Sequence, residues 1–279
     1  MISNARMYSL VREAGEIWRL LFTSLSVSAG SELTYLEHKS PAPMSDLWRR
    51  QDLGAVFMCG LPYSRSVPRL PIVAAPVPAP AAFGGQPQYW SELVVRADSP
   101  FKSLHDTFGH RLALTTMESQ SGCLALLYHL MAEGGRGALY QRVIEPRLTP
   151  LGALTAVVDG LADIAPIDSF AFSLAQQYVP ELTSQLRVVG RTSSTPIPPI
   201  VSRQPVPEPL ATAFLEAHKS PSMASLMARL QVEKFVRPDP DDYDVLKRRF
   251  DTTLTFWHQS PFAVSVHPAF GELATGPLR

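Results

Sequence analysis

The sequence predicts an α/β protein of two domains. Strand-like and helix-like segments alternate along most of the chain, the pattern of parallel sheets with helices on both faces. Its 279 residues are enough for roughly two domains. Hydrophobic residues make up 46% and charged residues 18%, ordinary for a folded soluble protein and too apolar for disorder.

In the first segment Arg6-Met7-Tyr8 reads as a short strand, and Ala14, Ile17, Trp18, Leu20 and Leu21 recur at helical spacing. Residues 55–58 form a run suited to a buried strand, stopped by Gly60 and Pro62. The proline-rich passage Pro68 to Pro87 predicts an extended loop around a strand core at Ile72 to Ala75. Residues 89–96 read as a strand, and Asp98, Ser99, Pro100 and Ser103 as caps of a short helix at about 101–108. Then come a strand at Arg111 to Thr115, a helix from Gly122 to Glu133, a helix at 151–159 and a strand at 163–167. A helix at 169–177, a strand at 186–190, a turn at Pro196 to Pro199 and a strand at 200–202 follow. The tail reads as helices at 207–217, 221–230 and 240–250, with a last stretch of some 20 residues wrapping the surface.

Lys plus Arg and Asp plus Glu are both 25, so nothing in the net charge draws the molecule to nucleic acid or an anionic membrane. No apolar run approaches the ~20 residues a membrane-spanning helix needs. Arg6, Arg12, Glu13 and Glu16 interrupt any secretory leader, so the protein is expected to stay inside the cell or to lack its leader in this sequence. Cys59 and Cys123 read as small apolar filler, although Cys123 near a helix start is placed where a thiolate would be stabilised. Neither cysteine has metal-ligand spacing to a partner, and no metal or cofactor is expected. No internal repeat or nucleotide-binding glycine fingerprint is present, and Gly134-Gly135-Arg136-Gly137 follows a helix, which makes it a loop and not a phosphate cradle. The histidines (His38, His105, His110, His129, His218, His258, His267) are scattered, none beside a nucleophile, and no catalytic residue is assigned. Asp239 to Asp244 reads as a helix-capping loop.

The most informative feature is Ser119-Gln120-Ser121-Gly122, between a strand and an apolar helix. A helix start leaves about four N–H groups unpaired and carries a partial positive charge. Serines there either cap the helix or, with those N–H groups, present hydroxyls to an anion, and on local features alone capping is the commoner use.

The order of several stretches resembles the PhnD-like branch of type 2 periplasmic binding proteins. They are Cys59 to Tyr63 (CGLPY), Tyr89 to Pro100 (YWSELVVRADSP), Ser119 to Gly122, Ala153 to Asp168 (ALTAVVDGLADIAPID), Leu186 to Pro196 (LRVVGRTSSTP) and Asp239 to Leu246 (DPDDYDVL). The resemblance implies two Rossmann-like lobes joined by two crossover strands near residues 90–96 and 187–195. Residues 1–92 plus 193–279 would form lobe one and 93–192 lobe two, with the ligand in the cleft. It also implies a role: a solute-binding protein without enzymatic activity that hands a small phosphonate or phosphate-like oxyanion to an ABC transporter permease. The implied compartment is the periplasm, with the cytoplasm as the alternative that the missing leader leaves.

By the same resemblance Ser119, Gln120, Ser121 and Gly122 bind the anion, and Tyr8 and Tyr63, at the ends of lobe-one strands, line the facing wall. Read without it, the tyrosines are half-buried residues at a sheet edge. Asp168 would lie at the C-terminal end of its strand, where open α/β folds gather ligands, and pair with a donor group of the ligand. It is equally placed to cap the helix that starts at Ser169. Where close relatives carry a histidine shortly before the 153–154 segment, this chain has Thr149-Pro150, which points to a ligand other than aminoethylphosphonate. The competing readings are an intracellular sensor or accessory protein on the same fold, and an enzyme of thiamine-precursor type.

Overall fold

The computed structural model describes residues 1–135, 139–144 and 149–258. Strand β1 (Ile2–Asn4), helix α1 (Arg12–Ser28), β2 (Thr34–Tyr35), α2 (Met44–Trp48), β3 (Leu53–Phe57), α3 (Gly60–Arg65) and β4 (Ile72–Pro78) come first. Next are β5 (Gln88–Tyr89), β6 (Ser91–Arg96), β7 (Arg111–Ala113), α4 (Ala125–Ala132), β8 (Arg142–Ile144), α5 (Pro150–Val158) and β9 (Ala165–Asp168). Then follow α6 (Ser169–Tyr178), α7 (Pro180–Thr183), β10 (Leu186–Arg191), β11 (Thr195–Pro196) and β12 (Ile200–Val201). The last are α8 (Glu208–Glu216), α9 (Pro221–Arg229), β13 (Val232–Val236) and α10 (Asp244–His258).

The chain divides into two compact units: Met1–Tyr89 with Pro196–Asp244, and Trp90–Thr195 with the segment from Val245. The sequence reading placed everything after residue 193 in lobe one, whereas α10 is grouped with the second unit. There Phe256 packs against the core of that unit, and the Arg249 guanidinium lies 4.9 Å from the centre of the Tyr128 ring.

In the first unit the sheet runs β13-β4-β12-β3-β1-β2. Here β1 is parallel to β2 and β3, but β12 is antiparallel to β3 and β4, and β13 to β4. In the second unit β6 pairs antiparallel with β10 and β9, while β7 pairs parallel with β8 and, through Leu112, with Ile164. The expectation of parallel sheets is therefore corrected to mixed ones. Strand–helix alternation is local, whereas the direction of β12 and β13 depends on the path by which the chain re-enters the unit.

Local chemistry explains the other differences. The first strand is β1, and Arg6–Tyr8 is a single 3-10 turn, because the Asn4 side chain accepts the Arg6 N–H at 2.9 Å and bends the chain. Strand β4 continues through Pro76 and Pro78, which sit opposite Phe235 and Val232 of β13 and beyond the reach of β12, whose partners are Ile72 and Ala74. A proline fits where only one flank of the strand must be paired. The helix expected at 101–108 shrinks to a 3-10 turn at His105–Thr107, since Asp106 reaches back to accept the N–H groups of Lys102 and Ser103 at 2.7 and 2.8 Å. Strand β13 went unread because its segment between two helices is short. Arg136, Gly137 and the tail from residue 259 lie outside the described residues.

The first core forms because α1 buries Ala14, Ile17, Trp18, Leu21, Phe22 and Leu25 on one stripe, at spacings of three and four. That stripe meets β3, buried along its length, through Phe57, whose ring lies edge-on to Trp18 and Tyr8 with centroids at 5.1 Å in both pairs. Replacing Phe57→Ala is expected to lower unfolding free energy by about 3–5 kcal/mol, read by denaturant titration, and Phe57→Leu by under about 1.5 kcal/mol. Equal losses in the two variants would contradict this account.

Candidate functional site

In the second unit β7 ends at Ala113 and delivers Thr115, 6% exposed, to a tight turn. Ser119 caps the following helix, its hydroxyl oxygen accepting the Gly122 N–H at 3.0 Å. The first turn, Gln120–Leu124, is a wide π-turn in which the Leu124 N–H reaches the Ser119 carbonyl at 3.0 Å, and it runs directly into α4. With the Gly122 amide taken, the amides of Gln120 and Ser121 occupy the first two helical positions, which have no carbonyl within the helix to bond. The positive end of the helix dipole falls at the same place.

Gly122 is required here by space. A Cβ on it would lie 1.8 Å from Thr115 Oγ1 and 2.9 Å from Thr115 Cβ. Two polar side-chain atoms of this turn, Thr115 Oγ1 and Gln120 Oε1, are buried without a hydrogen-bond partner among the described residues. Leaving a buried polar atom unpaired costs about 1–3 kcal/mol, which a ligand group can recover. Thr115 was missed as a site residue; its signal was its place at the end of the strand preceding the serine turn.

Asp168 is buried, and one carboxylate oxygen accepts the N–H groups of Phe170 and Ala171, both at 2.9 Å. It thus caps α6, one of the two uses its position suggested. Ser91, also missed, links the two places: it sits opposite Asp168 in the β6–β9 ladder, and its hydroxyl donates to the Ser121 carbonyl at 2.7 Å. The sequence showed it only as a lone hydroxyl residue at the head of an apolar strand. Thr149 caps α5 by accepting the Gly152 N–H at 3.0 Å.

Tyr8 and Tyr63 belong to the first unit, and neither stands at a strand end or a sheet edge. Tyr8 closes the 3-10 turn with its ring against Phe57, and Tyr63 lies within α3; both are fully buried. Each helical segment follows its strand so closely that the tyrosine turns into the core. The Tyr63 ring is edge-on to Tyr243 at 4.9 Å, and its hydroxyl has no hydrogen-bond partner among the described residues. Burial pushes the Tyr63 phenol up to about 12. The acidic run is a capping loop: Asp239 accepts the Asp241 N–H at 2.9 Å, and Arg69 ties the loop down through Asp244.

Both cysteines are buried, and neither is in a disulfide. Burial pushes the Cys123 thiol up to about 12, so the thiolate stabilisation expected from its helical position is overridden by desolvation. Among the described residues, no cluster of three or more His, Cys, Asp or Glu side chains is placed to hold a metal ion.

The family model of the periplasmic substrate-binding protein of phosphonate ABC transporters matches residues 10–243. The chain belongs to this family. The phosphonates-binding periplasmic protein of Escherichia coli K12 is 28% identical over 158 residues, 53% of this chain and 46% of its own length. The chain thus matches about half the length of that relative. A binding protein component of an ABC phosphonate transporter from Pseudomonas aeruginosa superposes with a TM-score of 0.76 at 20% identity, covering 90% of this chain and 86% of its own. PhnD1 of Prochlorococcus marinus, in complex with methylphosphonate, gives 0.74 at 15% identity over 90% of this chain and 97% of its own. These likenesses establish the fold as that of a type 2 periplasmic binding protein. The family consists of transport binding proteins, not enzymes. No described helix is long and apolar enough to cross a membrane.

Two predictions follow from this geometry. Gly122→Ala is expected to destabilise the ligand-free protein by more than about 1 kcal/mol, and adding Thr115→Gly to recover part of that loss; strictly additive losses in thermal denaturation would refute the close approach. The raised phenol of Tyr63 favours the neutral folded form, so its contribution to stability is whole below pH ~10 and vanishes as pH climbs through about 12. In a tyrosinate absorbance titration Tyr63→Phe should remove amplitude from the step near 12, not from the ordinary step near 10.

Proposed function

We propose that this protein captures a small tetrahedral oxyanion, a phosphonate or phosphate-like compound, at the Ser119–Gly122 turn and delivers it to the permease of an ABC transporter in the periplasm. The observation that carries this reading is the pair of buried side-chain atoms without a hydrogen-bond partner among the described residues, Thr115 Oγ1 and Gln120 Oε1, at a helix start whose first amides have no carbonyl within the helix to bond. Ser119 uses its oxygen as an acceptor for Gly122 and keeps its O–H to donate. Together these groups offer several donors to an oxyanion and one acceptor, Gln120 Oε1, to a protonated oxygen. Such a site binds through dipoles and hydroxyls without a formal cation, as helix N-termini do. Asp168 belongs to the same proposal as an acceptor for a donor group of the ligand. Family membership supports transport, and two of the similar proteins are a phosphonate binder and a methylphosphonate complex.

The test is calorimetry and thermal shift against methylphosphonate, phosphate, phosphite and sulfate. Saturation at a thousand times the Kd should add about 4 kcal/mol of stability. Ser119→Ala combined with Ser121→Ala should weaken binding at least a hundredfold, beyond the roughly 1 kcal/mol that loss of the cap costs the ligand-free fold. Undiminished affinity in the double variant would overturn the assignment.

A further inference from the structure

We infer that Ser91 is a positioning residue for the anion-binding turn, holding the peptide between Ser121 and Gly122 at a fixed tilt so that the preceding amides stay aimed. This deepens the proposed oxyanion site and rests on it. One peptide unit carries both the Ser121 carbonyl and the Gly122 N–H. Its carbonyl receives the Ser91 hydroxyl at 2.7 Å, and its N–H is received by Ser119 Oγ at 3.0 Å. Two serine hydroxyls from different elements therefore clamp the same peptide plane at both ends. Thr115 closes the third side, within a distance that would bar any side chain at residue 122.

The Ser119 half of the clamp is local and moves with the turn. The Ser91 half comes from a strand: Ser91 is fully buried, sits opposite Asp168 in the ladder, and has its own N–H held by Thr192 Oγ1 at 2.9 Å. A strand inside a sheet is a more rigid reference than a loop, and supporting hydrogen bonds from such elements keep binding groups in productive geometry. Without the Ser91 hydroxyl the peptide is free to rock about its Ser119 contact, and the Gln120 and Ser121 amides swing with it. The hydroxyl of Ser91 thus acts through Ser121, not on the ligand.

The experiment compares the wild type with Ser91→Ala and with Thr107→Val, which deletes a buried hydroxyl of the same unit that bonds the Leu104 carbonyl and takes no part in the clamp. Amide exchange across Gly122 to Leu124 is followed in the ligand-free proteins, and the Kd for methylphosphonate by calorimetry. Ser91→Ala should speed exchange at the turn at least fivefold and weaken methylphosphonate binding at least tenfold, while Thr107→Val leaves both within twofold. Equal effects in the two variants would reduce Ser91 to a generic core contact, and unchanged exchange in Ser91→Ala would remove the clamp. If Ser91→Ala fails to fold, Ser91→Cys, nearly isosteric with a weak donor, is read by the same two measurements. A wild type that binds none of methylphosphonate, phosphate and phosphite would sink the proposed function, and the exchange comparison would still decide the role of Ser91.

Discussion

The helix that begins at Gln120 starts beside two buried polar atoms without a hydrogen-bond partner among the described residues, Thr115 Oγ1 and Gln120 Oε1, and the rest of the turn is built around that start. Most helix starts are closed by their own caps, and Ser119 does close this one as far as Gly122. The amides ahead of that point have no carbonyl within the helix to bond, and the turn around them is fixed by its own contacts. Thr115 fills the space that a side chain at 122 would take, and Ser91 holds the Ser121 carbonyl from behind. The contrast lies in the same unit: α6 starts with Asp168, whose carboxylate fills its N-terminus outright. One helix end is capped by a carboxylate of the chain, the other by a serine hydroxyl.

That arrangement needs a stiff frame, and the frame is apolar. Leu93, Val95, Leu112, Leu126, Leu127 and Leu130 belong to one buried cluster that joins the two strands β6 and β7 to α4. The turn is therefore held at both flanks by the core that stabilises the unit. In the first unit the equivalent work falls to Phe57 and the rings about it, which close the face of α1 on β3. The aromatic contacts explain why Tyr8 and Tyr63 sit deeper than residues at a sheet edge would.

Much of the site could be read from residues close together in sequence. The serine turn, its glycine and the helix after it are a local pattern, as are the Asp168 cap and the Asp239 loop. Ser91 and Thr115 could not be read in this way. Ser91 lies 30 residues from its partner Ser121, and a single hydroxyl in an apolar strand carries no signal of what it will bond. The unseen strand β13 and the prolines of β4 tell the same story: each depends on the other across more than a hundred residues of chain. The titration of Cys123 is a further case, because its helical position favours the thiolate and only the depth of burial reverses it.

Composition and strand–helix alternation determined the α/β class, the order of six short stretches carried the resemblance to the type 2 binding-protein family, and the Ser119–Gly122 pattern marked the helix start on which the oxyanion site is proposed. Periodicity and caps act over a few residues, so they are written in the chain directly. The tertiary structure alone decided strand direction, the place of the last helix, the burial of the two tyrosines and the clamp from Ser91. Those features are set by hydrogen bonds and packing between segments far apart in sequence, whose partners exist only once the chain has folded.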